Sequence, residues 1–204
     1  MKELTTLLTS LENKYIPKEM DSDIYWSNHA EVHYDDKGLG RIVKQSKETI
    51  LVMRELIKKG FFAPDGDFTI LDICCGLPFF LKEVRETWPK CKTYGIDVST
   101  TEFKNFKQFS KGSDIFKFKF LMLFDEHLDK KIDIVTIFNS YRDFNEDLQK
   151  SLLKWCQSNC TFFICPESMY ASMNSLISDY ATPFIAGTSF KLGELNSATI
   201  WRMR

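Results

Sequence analysis

The sequence predicts an α/β fold in a single domain of 204 residues, because short apolar β-branched runs alternate with amphipathic helical segments. The pattern is clearest at residues 68–81, where an apolar run meets a small-residue turn and an amphipathic segment begins at Pro78. This order predicts a strand, a tight turn and a helix. The N–H groups at such a helix start favour an anionic or polar ligand, and ligands of open α/β sheets bind there.

The other elements are predicted from the same two patterns, apolar β-branched runs for strands and apolar residues at helical spacing for helices. Gly38 and Gly40 are expected to frame a turn, after which the helical spacing from Ile42 through residues 49–57 predicts a helix that runs to Lys59 and stops at Gly60. Further strands are predicted at 93–96, 115–123, 132–138 and 161–165, further helices at 80–88, 146–156 and 169–180, and a closing antiparallel hairpin at 184–191 and 198–203.

Two acidic residues lie at or near the ends of the apolar runs that predict strands. Asp72 lies near the end of the first run, and Asp97 ends the second. A carboxylate at the end of the second strand can accept both hydroxyl groups of a ribose. The pair therefore indicates a nucleoside cofactor.

Three segments resemble the motifs of one family, the class I S-adenosylmethionine-dependent methyltransferases. L-D-I-C-C-G-L-P-F-F resembles motif I, usually L-D-I-G-C-G-x-G, and Y-G-I-D-V-S resembles the acidic second motif. I-D-I-V-T-I-F-N-S-Y-R-D-F is similar to the fourth motif, commonly F-D-V-V-x-x-x-N-V-L-H-H-L. The resemblance implies S-adenosylmethionine as cofactor, held by Asp72, Cys74, Gly76, Asp97, Val98 and Asn139.

The resemblance also implies a particular architecture. It is a Rossmann-like, seven-stranded, mostly parallel sheet with helices on both faces and a C-terminal antiparallel hairpin. Residues 68–204 would form this core and residues 1–60 an N-terminal helical cap, within one domain.

Motif I departs from the family pattern at two glycine positions, which hold Cys74 and Pro78. Because a cysteine at positive φ costs about 1–2 kcal/mol, either the turn is shifted or Cys74 keeps an ordinary conformation with its small side chain beside the ligand. Pro78 suits the first turn of a helix.

The departures motivate a second hypothesis, a non-catalytic cofactor-binding or regulatory module. An NAD-dependent oxidoreductase is disfavoured, because only Gly76 remains of G-x-G-x-x-G.

Aromatic and histidine side chains crowd together ahead of the first strand. Tyr25, Trp26 and Tyr34 could present their ring faces to a sulfonium cation, or form a hydrophobic lid. His29 and His33 have the spacing of a chelating pair, but the nearby acids follow no metal pattern. A general base or a packing role is favoured over metal binding.

The fourth motif holds Arg142 and Asp143 where the family has two histidines. Arg142 could clamp a phosphate or carboxylate of the acceptor, and Asp143 could take a proton. The alternative is an ion pair that caps the next helix. The resemblance implies methyl transfer to an oxygen or nitrogen, and a small polar metabolite is expected as the acceptor, with sugars and phosphorylated intermediates as candidates.

Charge and composition restrict the class of partner. A formal net charge of −1 gives no overall attraction to nucleic acid or anionic lipid, so a small-molecule acceptor is expected. The six cysteines form no C-x-x-C pair and are expected to be reduced. With no secretory leader and no membrane-length apolar run, a cytoplasmic protein is expected.

Overall fold

The computed structural model describes residues 36–97, 110–117, 132–138, 140–141, 144, 146–165, 176–185 and 199–203. Within these residues, seven strands form one sheet in the order β3-β2-β1-β4-β5-β7-β6. The strands are β1 (Thr69–Ile73), β2 (Lys92–Asp97), β3 (Asp114–Lys117), β4 (Ile132–Ile137), β5 (Cys160–Cys165), β6 (Ala181–Ile185) and β7 (Thr199–Met203). The first five run parallel, whereas β7 pairs antiparallel with both β5 and β6. This confirms the mostly parallel sheet and the antiparallel C-terminal pair.

Helices cover both faces of the sheet, as predicted. The helices are α1 (Asp36–Lys58), α2 (Phe79–Thr87) and α3 (Glu146–Asn159). On one face, side chains of α1 and α2 share a buried apolar cluster with Ile70, Ile134 and Phe162. On the other face, α3 shares a second cluster with Leu71 and Phe163. Neighbouring residues of a strand point to opposite faces, so the central strands are buried on both sides.

Helix α1 corrects one prediction. The turn framed by Gly38 and Gly40 is wrong, because both glycines lie inside α1. A glycine in a helix costs about 1 kcal/mol relative to alanine, which burial of the helix elsewhere can offset. Met53 and Leu56 supply that burial, at 1% and 0% exposure. Tertiary packing therefore decides the start of this helix. The division into a cap and a core remains a prediction.

Several predicted boundaries differ from the structure. Helix α2 spans Phe79–Thr87, whereas the predicted segment begins at Pro78 and ends at Trp88. Helix α3 continues to Asn159 instead of stopping at Cys156. Strand β6 begins at Ala181, three residues before the predicted start of the hairpin. Ala181 pairs with Met203 and is fully buried, so strand pairing across the sheet extends β6 toward the preceding helical turn.

Gly95 lies where β2 packs closely against β3 and the turn after β1. A Cβ atom at Gly95 would lie 2.6 Å from Ile115 Cδ1 and 2.8 Å from Cys75 Sγ. We expect Gly95→Ala to lower the free energy of unfolding by about 1–3 kcal/mol, because a packed core must shift to admit the methyl group. Urea unfolding followed by circular dichroism measures this change.

Gly40→Ala is the matched control for this substitution. A Cβ there would meet nothing within 4 Å, so we expect the helix to gain up to about 1 kcal/mol. An unchanged free energy of unfolding in Gly95→Ala would contradict the close packing around Gly95.

Candidate functional site

The turn between β1 and α2 has two residues in the left-handed region. Cys74 has φ 56° and Gly76 has φ 49°. The expectation of an ordinary conformation for Cys74 is therefore wrong. A non-glycine residue in this region costs about 1–2 kcal/mol, and such strain is concentrated at ligand sites. Cys74 is partly exposed, so this strained residue lies at the surface of the turn.

Two hydrogen bonds tie this turn to β2. The Cys75 N–H donates to the Ile96 carbonyl at 3.1 Å. The Gly76 N–H donates to Asp97 Oδ2 at 2.7 Å, which is a short bond to an ionisable acceptor. Asp97 is only 7% exposed, so this contact orients its carboxylate in a sheltered position. A carboxylate accepts several hydrogen bonds, so the bond to Gly76 leaves Asp97 able to bind a ligand hydroxyl.

Pro78 precedes α2 as its N-cap residue, with φ −76°. The predicted suitability of its fixed φ for a helix start is consistent with this position. Its carbonyl accepts the Lys82 N–H at 3.1 Å, so the helix ladder begins at the proline. No acidic side chain lies in the first turn of α2, so the partial positive charge of the helix start is not neutralised from within the helix.

Asp72 lies between β1 and β4 and is 2% exposed. The Thr136 hydroxyl on β4 donates to Asp72 Oδ1 at 2.7 Å. The pKa of Asp72 is raised to about 8, mainly by burial; the Thr136 hydrogen bond lowers it and the nearby Asp97 charge raises it. Asp72 therefore retains its proton at neutral pH, while its neighbour Asp97 receives a backbone N–H.

Thr136 contacts the candidate site and was not found by sequence reasoning. It is fully buried and stands directly beside Asp72 in the strand register. The available signal was a hydroxyl residue inside the apolar run I-D-I-V-T-I, but its partner becomes known only when β1 and β4 are paired.

Cys75 contributes packing to the site. It is buried under the turn, and its Sγ lies 3.9 Å from the Gly76 carbonyl oxygen. Burial raises the pKa of the Cys75 thiol well above its usual range, and the Asp97 and Asp72 charges raise it further. Cys75 is therefore a neutral thiol and a poor nucleophile. All six cysteines are free in the structure.

The segment after β4 is held by a side chain from α3. Gln149 Nε2 donates to the Tyr141 carbonyl at 2.9 Å and to the Phe144 carbonyl at 3.1 Å. Tyr141 and Phe144 are buried, at 0% and 5% exposure. Gln149 therefore fixes the backbone on both sides of residues 142–143. Sequence reasoning missed this residue, because a polar residue in an amphipathic helix is most often solvent-exposed.

Several predicted site residues lie outside the described part of the chain. They are Tyr25, Trp26, His29, His33, Tyr34, Val98, Asn139, Arg142 and Asp143. The structure therefore brings together Asp72, Cys74, Gly76 and Asp97 of the predicted set. Among the described residues, no group of three potential metal ligands occurs. No helix in the described ranges is both long and apolar enough to cross a membrane.

The strand order explains why these groups meet. From β1, the sheet extends through β2 to β3 on one side and through β4 to β5 on the other. Ligands of open α/β sheets bind at the carboxyl ends of the strands where the strand order reverses in this way. The Asp72–Thr136 hydrogen bond crosses this switch point, and the Gly76–Asp97 bond lies one strand away. The arrangement fits a polar nucleoside ligand.

Comparison with solved structures identifies the fold as that of class I methyltransferases. The chain is similar to magnesium protoporphyrin IX methyltransferase from Synechocystis PCC 6803, with 12% identity, a TM-score of 0.57, and coverage of 91% of this chain and 98% of that chain. It is also similar to a TehB-like SAM-dependent methyltransferase from Corynebacterium glutamicum, with 13% identity, a TM-score of 0.50, and coverage of 79% and 99%. At these identities the likeness establishes the fold.

One further match covers only part of each chain. PKMT2 from Rickettsia typhi in complex with AdoHcy is similar with 20% identity and a TM-score of 0.41. The match covers 48% of this chain and only 20% of that chain. No protein-family model and no curated protein sequence matches the chain.

The raised pKa of Asp72 predicts a particular pH dependence of stability. Between the usual carboxyl range and about pH 8, the folded chain holds a proton on Asp72 that the unfolded chain has lost. Stability therefore falls as pH rises through this window, by up to about 1.4 kcal/mol per pH unit. We expect Asp72→Asn to remove this slope, since asparagine is neutral at every pH and keeps an oxygen for Thr136.

Urea unfolding at pH 5, 6, 7 and 8 measures the slope. Asp67→Asn, at an exposed position, is the control and should follow the wild type. Parallel curves for the wild type and Asp72→Asn would show that Asp72 is ionised in the folded state.

Proposed function

We propose that this chain is a methyltransferase that uses S-adenosylmethionine to methylate an oxygen or nitrogen of a small polar molecule. The observation that carries the proposal is the Asp97 carboxylate, which the Gly76 N–H holds at 2.7 Å beside the switch point of a methyltransferase fold. A fixed carboxylate at the end of β2 suits the paired hydroxyls of a ribose. The similarity to a structure with bound SAM supports the same cofactor.

The remaining cofactor contacts come from the turn and from the ends of the strands. Asp72, Cys74 and Gly76 border the site in the described structure, and we propose Val98 and Asn139 as further contacts because of their place in the resembled motifs. Bound S-adenosylmethionine would supply a methyl group on a sulfonium, which is already a good leaving group. The protein then has to hold the acceptor in line and exclude water.

We propose that the acceptor is a small polar metabolite bound beside the segment after β4. Arg142 could pair with an acceptor phosphate or carboxylate, and Asp143, His29 and His33 are the candidate bases. Tyr25, Trp26 and Tyr34 would cover the site. The net charge of −1 supports such an acceptor over nucleic acid and supports a protein that acts in the cytoplasm without a membrane partner.

The second candidate is a non-catalytic module that binds S-adenosylmethionine. The observation that favours it is Cys74, which keeps a left-handed conformation where the family uses glycine. A side chain at this position brings bulk close to the cofactor site, which would be tolerated more easily by a binding protein than by an enzyme that must also release its product. Screening small polar metabolites with labelled methyl donor distinguishes the two, because only the enzyme gives turnover.

The first functional prediction is that Asp97 contributes strongly to cofactor affinity. Calorimetric titration with S-adenosylhomocysteine should show one site per chain. Asp97→Ala should weaken binding at least tenfold, about 1.4 kcal/mol, because charged hydrogen bonds to the ribose are lost. The affinity of Asp97→Asn should fall between those of the wild type and Asp97→Ala, since the asparagine side-chain oxygen can still accept the Gly76 N–H.

Asp67→Ala is the matched control, because this carboxylate is exposed and lies before β1. Its affinity should remain within about twofold of wild type, well below the tenfold change expected at the site. Folded protein that gives no heat with millimolar S-adenosylhomocysteine would refute cofactor binding altogether.

The second functional prediction concerns the backbone that carries residues 142–143. Gln149→Leu removes both donors to the carbonyls of Tyr141 and Phe144 while keeping a side chain of similar size. We expect kcat/KM for the acceptor to fall more than tenfold, since misplacing a reacting group by about 1 Å can cost a hundredfold. Affinity for S-adenosylhomocysteine should change less than about twofold.

Gln157→Leu is the matched control on the same helix. Gln157 Nε2 donates to the Tyr180 carbonyl at 2.9 Å, away from the segment after β4. Its loss should affect stability but not the kinetics. Equal kinetics for Gln149→Leu and wild type would place the acceptor elsewhere, with the residues around Tyr25 and Tyr34 as the next candidates.

A further inference from the structure

The outward face of helix α1 carries a row of positive charges. Five exposed positions follow one another along the helix at spacings of three and four residues, and all but one of them are cationic. They are Lys44, Lys47, Leu51, Arg54 and Lys58. At 3.6 residues per turn, these positions fall within an arc of about 80° on one side of the helix. This row of five residues is called the basic stripe below.

The basic stripe faces away from the sheet. Thr49, Met53 and Leu56 are buried and lie on the opposite side of the helix. Met53 and Leu56 belong to the apolar cluster that α1 and α2 share with the strands. Because this side anchors α1 to the core, the stripe is exposed on a helix whose position is already fixed.

The charge of this segment has the opposite sign from that of the rest of the chain. Residues 44–59 hold five Lys or Arg and two Glu, a net charge of +3, whereas the whole chain carries −1. The other residues therefore sum to −4. The two carboxylates, Glu48 and Glu55, are half-buried, and Glu55 pairs with Lys58. The solvent-exposed side of α1 is thus dominated by cations.

The stability of the helix explains only part of this pattern. A cation in the last turn interacts favourably with the partial negative charge of the helix end, and Lys58 lies there. Lys44 and Lys47 lie in the first half of α1, where this effect gives no gain. Like charges three or four residues apart also repel each other. Binding of an anionic partner would account for the cations that folding does not require.

An aromatic ring and a further arginine extend this surface beyond the end of α1. Phe61 is 37% exposed, and its ring is nearly perpendicular to the buried ring of Phe162, with centroids 5.3 Å apart. Arg202 is exposed on β7, and its Cζ lies 5.9 Å from the centroid of the Phe61 ring. The end of the sheet therefore places another cation beside the end of the helix.

We propose that the basic stripe docks an acidic segment of a partner protein. From Lys44 to Lys58 the stripe is about 21 Å long, which matches a short helix. A partner helix with carboxylates at the same spacing would bring a negative charge to each cation, and an apolar residue at its centre would contact Leu51. This docking surface is independent of the proposed methyl transfer.

Two other classes of partner fit the surface less well. A long nucleic acid would continue past the stripe over the rest of the chain, whose net charge of −4 repels phosphate. Helices that bind an anionic membrane insert a row of apolar side chains. Among the described side chains of α1, only Leu51 is both large and apolar and exposed. An acidic protein segment matches both the length of the stripe and its single apolar position.

Fluorescence anisotropy with a labelled peptide tests this proposal on the full chain. The probe is a helical peptide of about 14 residues, with glutamates at spacings of three and four around a central leucine. The reference peptide has glutamine in place of every glutamate. At low salt we expect the acidic peptide to bind more than tenfold tighter than the reference. This difference should shrink severalfold at about 0.15 M salt, because exposed charges are then screened.

Charge reversal assigns the binding to the stripe. Lys47→Glu combined with Arg54→Glu should weaken binding of the acidic peptide more than tenfold. Lys111→Glu combined with Lys154→Glu is the matched control, because both side chains are exposed outside α1 and the net charge changes equally. Its affinity should stay within about twofold of wild type.

A milder variant keeps the test valid if charge reversal disturbs folding. Lys47→Gln combined with Arg54→Gln only removes the two charges, and it should weaken binding by a smaller factor than the reversal. Both glutamines are good helix formers, so the urea unfolding midpoint should match that of the wild type. Full affinity in this folded variant would overturn the proposal.

The other outcomes also decide the question. Folded wild-type protein that binds the acidic and the reference peptide equally has no acidic docking surface. Equal losses in the two charge-reversed double variants would show that overall charge, not the stripe, attracts the peptide. Tighter binding of an oligouridylate or of phosphatidylserine vesicles than of the acidic peptide would assign the surface to nucleic acid or to a membrane instead.

Discussion

The hydrogen bond from the Gly76 amide to the Asp97 carboxylate is the contact on which the site depends. It joins the turn after β1 to the last residue of β2, and the neighbouring Cys75 N–H bond to Ile96 reinforces it. Because the parallel pairing of β1 with β2 fixes the distance between these two ends, the sheet determines where the start of α2 lies. The same carboxylate thus shapes the turn and faces the proposed ligand. Removing it affects local structure and binding together, which is why a variant that keeps an acceptor oxygen is informative.

Two features of this turn are unfavourable for folding. Cys74 adopts a left-handed backbone conformation at a cost of about 1–2 kcal/mol, and Asp72 is a carboxyl buried between the strands. Both lie at the switch point of the sheet, whereas the central residues of β1 and β4, among them Ile70 and Ile134, are apolar and fully buried. Violations of local preference are expected to concentrate where function requires them. Their position therefore supports a ligand site independently of any resemblance.

The sequence predicts the central strands well for a physical reason. Each is a short apolar run bounded by turn residues, and β1 is predicted to its exact limits at Thr69 and Ile73. Elements whose limits depend on distant partners are predicted less well. Helix α1 runs through Gly38 and Gly40 because its later turns pack on the sheet, and β6 starts early because Ala181 pairs with β7.

The same distinction applies to the site. Asp72, Gly76 and Asp97 could be found because they lie at or just after the carboxyl ends of strands, at recognisable positions. Thr136 and Gln149 could not, because their roles come from contacts across β1 and β4 and between α3 and the segment after β4. A hydroxyl or an amide in an amphipathic element carries no signal by itself. Only the strand order and the helix position give it a partner.

The site combines two opposite electrostatic fields within one turn. The first turn of α2 has no acidic side chain, so its partial positive charge favours a carboxylate. The buried acids Asp72 and Asp97 favour hydrogen-bond donors and cations instead. A ligand with a single charge could satisfy only one of these fields. A nucleoside that carries an amino-acid group, with a carboxylate, an ammonium and ribose hydroxyls, can satisfy both.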